Sequence, residues 1–257
     1  MNKLFNAVNI NALRCVECLL LKKQKYNANM LDIIGNTPIF YAIRNNNIDM
    51  VKLLIKYNAD INHRKNKGPT PLMIASQYGC LGIVKLLLNR GVNVNTKTKS
   101  FRYTALLEAI GSESKDSESI MKLLVDHGAN INQKDSSLGL PIYYACMKYN
   151  IKKVKILLDC PNININLIKN NPLETCLDLE SIDIAKLLIE YGARLSNDYY
   201  FKYVHGKKYQ KEIDESLEIQ SKLQQKCIIF IRRNIKLFPK NELRELHRDL
   251  RVHFITN

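Results

Sequence analysis

Long hydrophobic runs are missing from this 257-residue sequence, and the longest candidates, such as Cys227 to Ile231, fall far short of a bilayer-spanning helix. The opening MNKLFNAVNINALR lacks the charged start, apolar stretch and small-residue cleavage site of a secretory signal. Cysteine occurs seven times, an odd number without regular pairing. That excludes a disulfide framework and predicts reduced thiols in a cytoplasmic protein, with the nucleus as a second compartment. Motifs for chemistry are missing too. There is no Gly-rich phosphate loop and no Gly-x-Ser-x-Gly elbow. Cys15-Val16-Glu17-Cys18 is a lone CxxC with no second pair at zinc-site spacing. His247 and His253 have no cysteines or paired carboxylates near them in sequence. Cys227 stands among apolar residues, where burial makes a thiol less reactive. These absences predict a chain that is not an enzyme and holds no metal, cofactor or small-molecule substrate.

Acidic residues are outnumbered: 39 Lys and Arg face 24 Asp and Glu, a formal net charge of +15. Such a surplus can mark a nucleic-acid partner. Here it is spread along the whole chain, at helix positions such as Lys52, Lys56, Lys85, Lys122, Lys155 and Lys186. That distribution reads as a solvated lysine-rich surface, so neither nucleic acid nor membrane is the expected partner. Hydrophobic residues make up 46%, enough for a folded chain rather than a disordered one.

What the sequence does contain is a repeat. Gly35-Asn36-Thr37-Pro38-Ile39-Phe40-Tyr41-Ala42 returns as Gly68-Pro69-Thr70-Pro71-Leu72-Met73-Ile74-Ala75. It returns again at Tyr103-Thr104-Ala105-Leu106-Leu107-Glu108-Ala109 and Gly139-Leu140-Pro141-Ile142-Tyr143-Tyr144-Ala145, with a degraded copy at Asn171-Pro172-Leu173-Glu174-Thr175-Cys176. The aligned positions 38, 71, 105, 141 and 172 lie 33, 34, 36 and 31 residues apart. A second motif keeps step with the first: Val51-Lys52-Leu53-Leu54-Ile55, Val84-Lys85-Leu86-Leu87-Leu88, Met121-Lys122-Leu123-Leu124-Val125, Val154-Lys155-Ile156-Leu157-Leu158 and Ala185-Lys186-Leu187-Leu188-Ile189. Two motifs held in one register over five copies define a repeat architecture.

Each part has a mechanical reason. Thr before Pro suits a helix start, with the hydroxyl as cap and Pro at the first helical position. Apolar pairs of the second helix, such as Leu53 with Leu54, face neighbouring repeats. The segments Tyr57-Asn58-Ala59-Asp60-Ile61-Asn62, Arg90-Gly91-Val92-Asn93-Val94-Asn95 and His127-Gly128-Ala129-Asn130-Ile131-Asn132 follow. Gly or Asn at their second position tolerates the left-handed conformation that ends a helix, and the branched residue before the last Asn turns inward to pin the loop. One helix pair cannot cover its own apolar face, so stability must come from stacking.

This pattern resembles the ankyrin-repeat family over residues 1–200, with a weaker first copy from Leu4 to Met30. The histidine of the family motif Thr-Pro-Leu-His-x-Ala is replaced by Phe40, Met73, Leu107 and Tyr143. The resemblance implies an all-α solenoid of about six helix pairs that binds a target protein. Repeat geometry places target contacts at the loop tips Arg64, Lys67, Lys99, Arg102 and Asp135, and at Asn46 and Tyr78 after the first helices. The fourth repeat carries three extra residues in the polar run Ser112 to Ser119, expected to be a tolerated surface loop.

The period stops after Tyr191-Gly192-Ala193-Arg194-Leu195. Residues 201–216 read as a cap and linker, and residues 217–257 as a small C-terminal helical box. Leu223, Cys227 and Ile231 are spaced i, i+4, i+8, one stripe on a helix. Leu237, Phe238 and Pro239 follow, then Leu243 and Leu246. The tail resembles the SOCS box of the ankyrin-repeat and SOCS-box proteins, which implies elongin B–C binding through Leu223, Cys227 and Ile231. The same resemblance implies cullin binding through Leu237, Phe238, Pro239, Leu243 and Leu246, although the second proline of that motif is absent. Phe238-Pro239-Lys240-Asn241-Glu242-Leu243 resembles, more weakly, the F-box-like tail of poxvirus ankyrin proteins. Leu, Cys and Ile at this spacing also suit an ordinary packed helix, so a plain capping bundle stays open as well.

Overall fold

In a computed structural model of the chain, Met1–Tyr199 forms a compact unit. The structure describes residues 3–22, 25–64, 68–167, 169–179 and 181–194. The expectations placed on the C-terminal box therefore lie outside the described residues, as does Lys67.

Within them the architecture is all-helical. Six pairs follow one another: α1 (Lys3–Asn9) with α2 (Leu13–Leu21), α3 (Pro38–Arg44) with α4 (Ile48–Lys56), and α5 (Pro71–Gln77) with α6 (Leu81–Leu88). Then come α7 (Ala105–Gly111) with α8 (Ser117–Asp126), α9 (Pro141–Met147) with α10 (Ile151–Leu158), and α11 (Pro172–Asp178) with α12 (Ile182–Glu190). Odd-numbered helices stack on one another in one layer and even-numbered helices in a second. The result is the expected solenoid of helix pairs, with loops projecting between each even helix and the next odd one.

The local signals act as their chemistry predicts, with one exception. Proline opens α3, α5, α9 and α11. Thr70 and Thr104 accept the backbone N–H of Met73 and Leu107, each at 3.3 Å. Thr37 makes no such bond, and its buried hydroxyl has no partner in the structure. At Thr70 the Met73 thioether, standing where the family motif has histidine, accepts the Thr70 N–H at 3.4 Å. Asn58, Gly91 and Gly128 occupy the left-handed region at φ 62°, 71° and 82°, as a helix-ending residue should.

The core is one continuous apolar seam from Leu4 to Ala193. Leu54, Leu87, Leu124, Leu157 and Leu188, one from each repeated motif, are fully enclosed in it. The six lysines read as solvent-facing are all exposed.

Repeats are also joined by side-chain amides. Asn95 donates to Gly128 O at 2.9 Å while its Oδ1 accepts Asn130 N–H at 2.7 Å. Asn132 does the same to Asn162 O (2.7 Å) and Asn164 N–H (2.8 Å). Asn166 bridges to Gly192 and Arg194, and Asn29 to Asn58 and Asp60. Each Asn thus satisfies one carbonyl and one N–H of the next repeat.

The polar insertion of the fourth repeat is not a loose surface loop. Ser112 and Ser117 are buried. Ser114 lies so close to Gly79, at the turn between α5 and α6, that a Cβ there would sit 2.0 Å from its Oγ. Lys153, on α10, buries its ammonium against the C-terminal end of α7, donating to Ile110 O at 2.9 Å, Ser112 O at 2.6 Å and Ala109 O at 3.4 Å. A cation at a helix C-terminus satisfies carbonyls that would otherwise be orphaned.

Candidate protein-binding surface

The loops that precede the odd helices form a row of five fingers. Their described residues are 31–36, 63–64 with 68–69, 96–103, 133–139, and 166–167 with 169–170. In the first, third and fourth fingers the backbone of the tip is held from within. In the first finger Asp32 Oδ1 accepts the N–H groups of Ile34 and Asn36, both at 2.8 Å, and Oδ2 accepts Tyr41 O–H of α3 at 2.7 Å. The fourth finger repeats the device: Asp135 Oδ1 accepts Ser137 and Gly139 N–H at 2.9 and 2.8 Å, and Oδ2 accepts the Tyr144 hydroxyl of α9. In the third, Thr98 Oγ1 accepts Tyr103 N–H at 3.0 Å.

Electrostatics follow from these bonds. Partial burial works against ionisation of Asp32, but the Tyr41 hydroxyl and the Asn36 and Ile34 N–H groups outweigh it and hold the carboxyl below its usual range. Hydrogen bonding to Asp32, with some burial, pushes Tyr41 up. Burial, then the Asp135 bond, pushes Tyr144 up further.

Neighbouring fingers are bonded to each other. His63 Nε2 lies 3.2 Å from Gly35 O, and Arg64 Nη2 donates to Lys97 O at 2.5 Å. Ser136 N–H donates to Phe101 O at 3.1 Å, and Asn170 Nδ2 to Ser137 O at 3.0 Å. The row therefore behaves as one preorganised edge.

The expected contact residues divide on inspection. Arg64, Lys99 and Arg102 are exposed on fingers, and Asn46 and Tyr78 are exposed at the turns after α3 and α5. Asp135 is corrected: it is only 3% exposed, and both carboxylate oxygens are used inside its own repeat, so it shapes a finger rather than touching a target. Sequence reasoning passed over the apolar tips. Leu31, Ile33 and Ile34 on the first finger, Phe101 and Tyr103 on the third and Leu138 on the fourth are all exposed. The signal was available, since large apolar residues in loops between amphipathic helices have no core to enter.

Among the described residues no three His, Cys, Asp or Glu side chains converge on a metal-sized space, and no helix is long and apolar enough to cross a membrane. Cys15 and Cys18 lie exposed on α2.

Comparison with known proteins agrees with the fold. The family model described as "Ankyrin repeats" matches three overlapping stretches, residues 4–98, 58–135 and 106–198. A fowlpox virus ankyrin repeat protein, FPV031, is 29% identical over 170 residues, covering 62% of this chain and 49% of the viral protein. The chain thus spans about half the length of that relative, and less of a Rickettsia bellii ankyrin repeat protein, 35% of which is covered at 42% identity over 59 residues. Among solved structures, the human ASB11 ankyrin repeat domain superposes with a TM-score of 0.65 at 24% identity, covering 77% of this chain and 86% of that one. The ankyrin repeat domain of Bcl-3 gives 0.67 at 20% identity, with 76% and 87% covered. At such identities the structural likeness speaks for the fold alone.

Proposed function

We propose that this chain, which belongs to the ankyrin-repeat family, is a protein-binding scaffold that recruits a target to a cullin–RING ubiquitin ligase. The observation that carries the scaffold reading is the row of fingers, each bonded to its neighbour and each rooted in a stacked helix pair. A surface whose shape is set before binding loses little freedom on binding. No bond is made or broken by such a protein; it raises the local concentration of one partner near another.

The adaptor half of the proposal rests on the tail. Leu223, Cys227 and Ile231 offer an apolar stripe of the kind that the SOCS-box resemblance assigns to elongin B–C, and Leu237, Phe238, Pro239, Leu243 and Leu246 stand where that resemblance places the cullin contact. Under this reading residues 1–200 hold the target, 201–216 link, and 217–257 dock the ligase core. Co-expression of the full chain with elongin B–C tests it. Co-purification that is lost on Leu223→Ala supports the adaptor role, and an intact chain that ignores elongin B–C removes it.

A second reading is a scaffold or inhibitor that masks its partner without ligase recruitment through elongin. The likeness to a poxvirus ankyrin repeat protein and the F-box-like run Phe238 to Leu243 favour it. It requires that deletion of residues 217–257 leave partner binding and its biological effect unchanged.

A further inference from the structure

We infer that the first four fingers form a dock for an extended, acidic segment of a partner protein, anchored by apolar side chains at both ends of the row. The inference rests on the scaffold reading and specifies the chemistry of its target.

Backbone conformation makes the first argument. The residue two places before the N-cap of the following odd helix turns through the left-handed region in the first, third and fourth fingers. Gly35 does so at φ 83°, without a side chain to object. Arg102 and Leu138 occupy the same register at φ 57° and 65°. A branched apolar residue is disfavoured there, and Leu138 gains no burial in return, being 46% exposed. Strain retained at an exposed position without an internal packing gain points to a use outside the fold.

Apolar surface makes the second. Phe101 is 60% exposed and stacks on Tyr103, with ring centroids 5.5 Å apart. The bond from Ser136 to Phe101 ties this pair to the fourth finger, which carries Leu138. At the other end Ile33 is fully exposed beside Leu31 and Ile34. Two apolar tips therefore stand three repeats apart, on loops braced by Asp32, Thr98 and Asp135.

Charge selects the occupant. Lys97, Lys99, Arg102 and Lys134 lie on the third and fourth fingers, and Arg64 lies on the second. The acids of these fingers are committed within the protein: Asp135 is buried, and Asp32 is held by Tyr41, Ile34 and Asn36. The edge thus presents apolar, basic, and basic-with-aromatic chemistry in order. Stacked helices lie about 8–10 Å apart, so three steps span roughly 24–30 Å. That is about seven to nine residues of extended chain at ~3.3 Å each. An acidic segment with a bulky apolar residue near each end matches this edge. A nucleic-acid strand matches it less well, because Phe101 and Tyr103 already cover one another and Leu138 and Ile33 have no ring to stack on a base.

The test is a phage-displayed library of random peptides of ~15 residues, longer than the span above, panned against the full chain at low and at raised salt. The recovered peptides should be rich in Asp and Glu and carry at least one bulky apolar residue. Phe101→Ala and Leu138→Gly should each weaken their binding about tenfold or more, while Leu138→Gly, which relieves the backbone, should melt at a higher temperature than the parent. The double variant Lys99→Glu, Arg102→Glu should abolish the acidic preference. No enrichment, peptides without acidic bias, or tighter and competing binding of a single-stranded oligothymidylate would each overturn the dock. Acidic peptides whose binding ignores the finger variants would overturn it too, while leaving the scaffold reading intact. Loss of elongin B–C co-purification bears on the adaptor reading alone.

Discussion

Asp135 and Tyr144 are joined across nine residues in the same way as Asp32 and Tyr41: a finger carboxylate caps its own turn and takes the hydroxyl of a tyrosine on the helix that follows. The first and fourth fingers are thereby clamped to their repeats, and the apolar tips they carry are held at fixed positions. The pairing arises because both repeats place Asp five residues before the helix N-cap and Tyr four residues after it.

Removing the clamp should loosen a finger without unfolding the array. Tyr144→Phe leaves a buried carboxylate short of one donor and should cost about 2 kcal/mol. Burial, together with the Asp135 bond, raises the Tyr144 hydroxyl above its ordinary value of 10.0, so its contribution is complete below that pH and is lost as pH rises through the folded value. Urea unfolding of parent and variant from neutral to strongly alkaline pH should show the difference narrowing only at the alkaline end.

The amide bridges should differ in effect with position. Asn132→Ala removes two hydrogen bonds in the middle of the solenoid, and Asn166→Ala removes two near the end of the described repeats. Each should cost about 1–2 kcal/mol. In a nearest-neighbour array a central break uncouples the two sides, whereas a terminal one lets the end fray. Hydrogen exchange should therefore show raised opening on both sides of the Asn132 lesion, but only beyond Asn164 for the other.

Lys153→Met should be among the more damaging single changes at a lysine. The methionine matches the aliphatic stem but leaves the carbonyls of Ala109, Ile110 and Ser112 without their donor. A loss of about 2–3 kcal/mol is expected, read as a lower denaturant midpoint. Lys152→Met, at an exposed neighbour, should change the midpoint little.

Glu108 carries the opposite sign. Burial on α7 raises its carboxyl above the ordinary 4.5. Its charged form therefore destabilises the native state at neutral pH, and the penalty is relieved as pH falls through the folded value. Glu108→Gln should raise the melting temperature at neutral pH, and the advantage should vanish below pH 4.5. A constant advantage at all pH values would mean that the charge is not the cause.

Much of this molecule could be read from residue order. The Thr-Pro starts, the Leu-Leu pairs and the left-handed Asn58, Gly91 and Gly128 are local signals whose outcome depends on a few neighbours, and the structure returns them where expected. Asp135 shows where such reading stops. By position it belongs to a loop tip and looks solvent-facing; only the return of α9 beneath the finger brings Tyr144 to it. Lys153 shows the same in reverse, since a lysine near a helix start reads as solvated until α7 ends beside it.

Periodicity alone determined the fold, because every repeat uses the same short-range code for helix, turn and inward face, and identical units can stack in essentially one way. The insertion after α7, the lysine driven into it, the carboxylate clamps and the side of each finger left bare depend on contacts between residues some 9 to 44 positions apart. The lysine contacts exist only after stacking has set the distance between repeats, and the clamps only once the following helix has packed beneath its finger, so tertiary structure decided them.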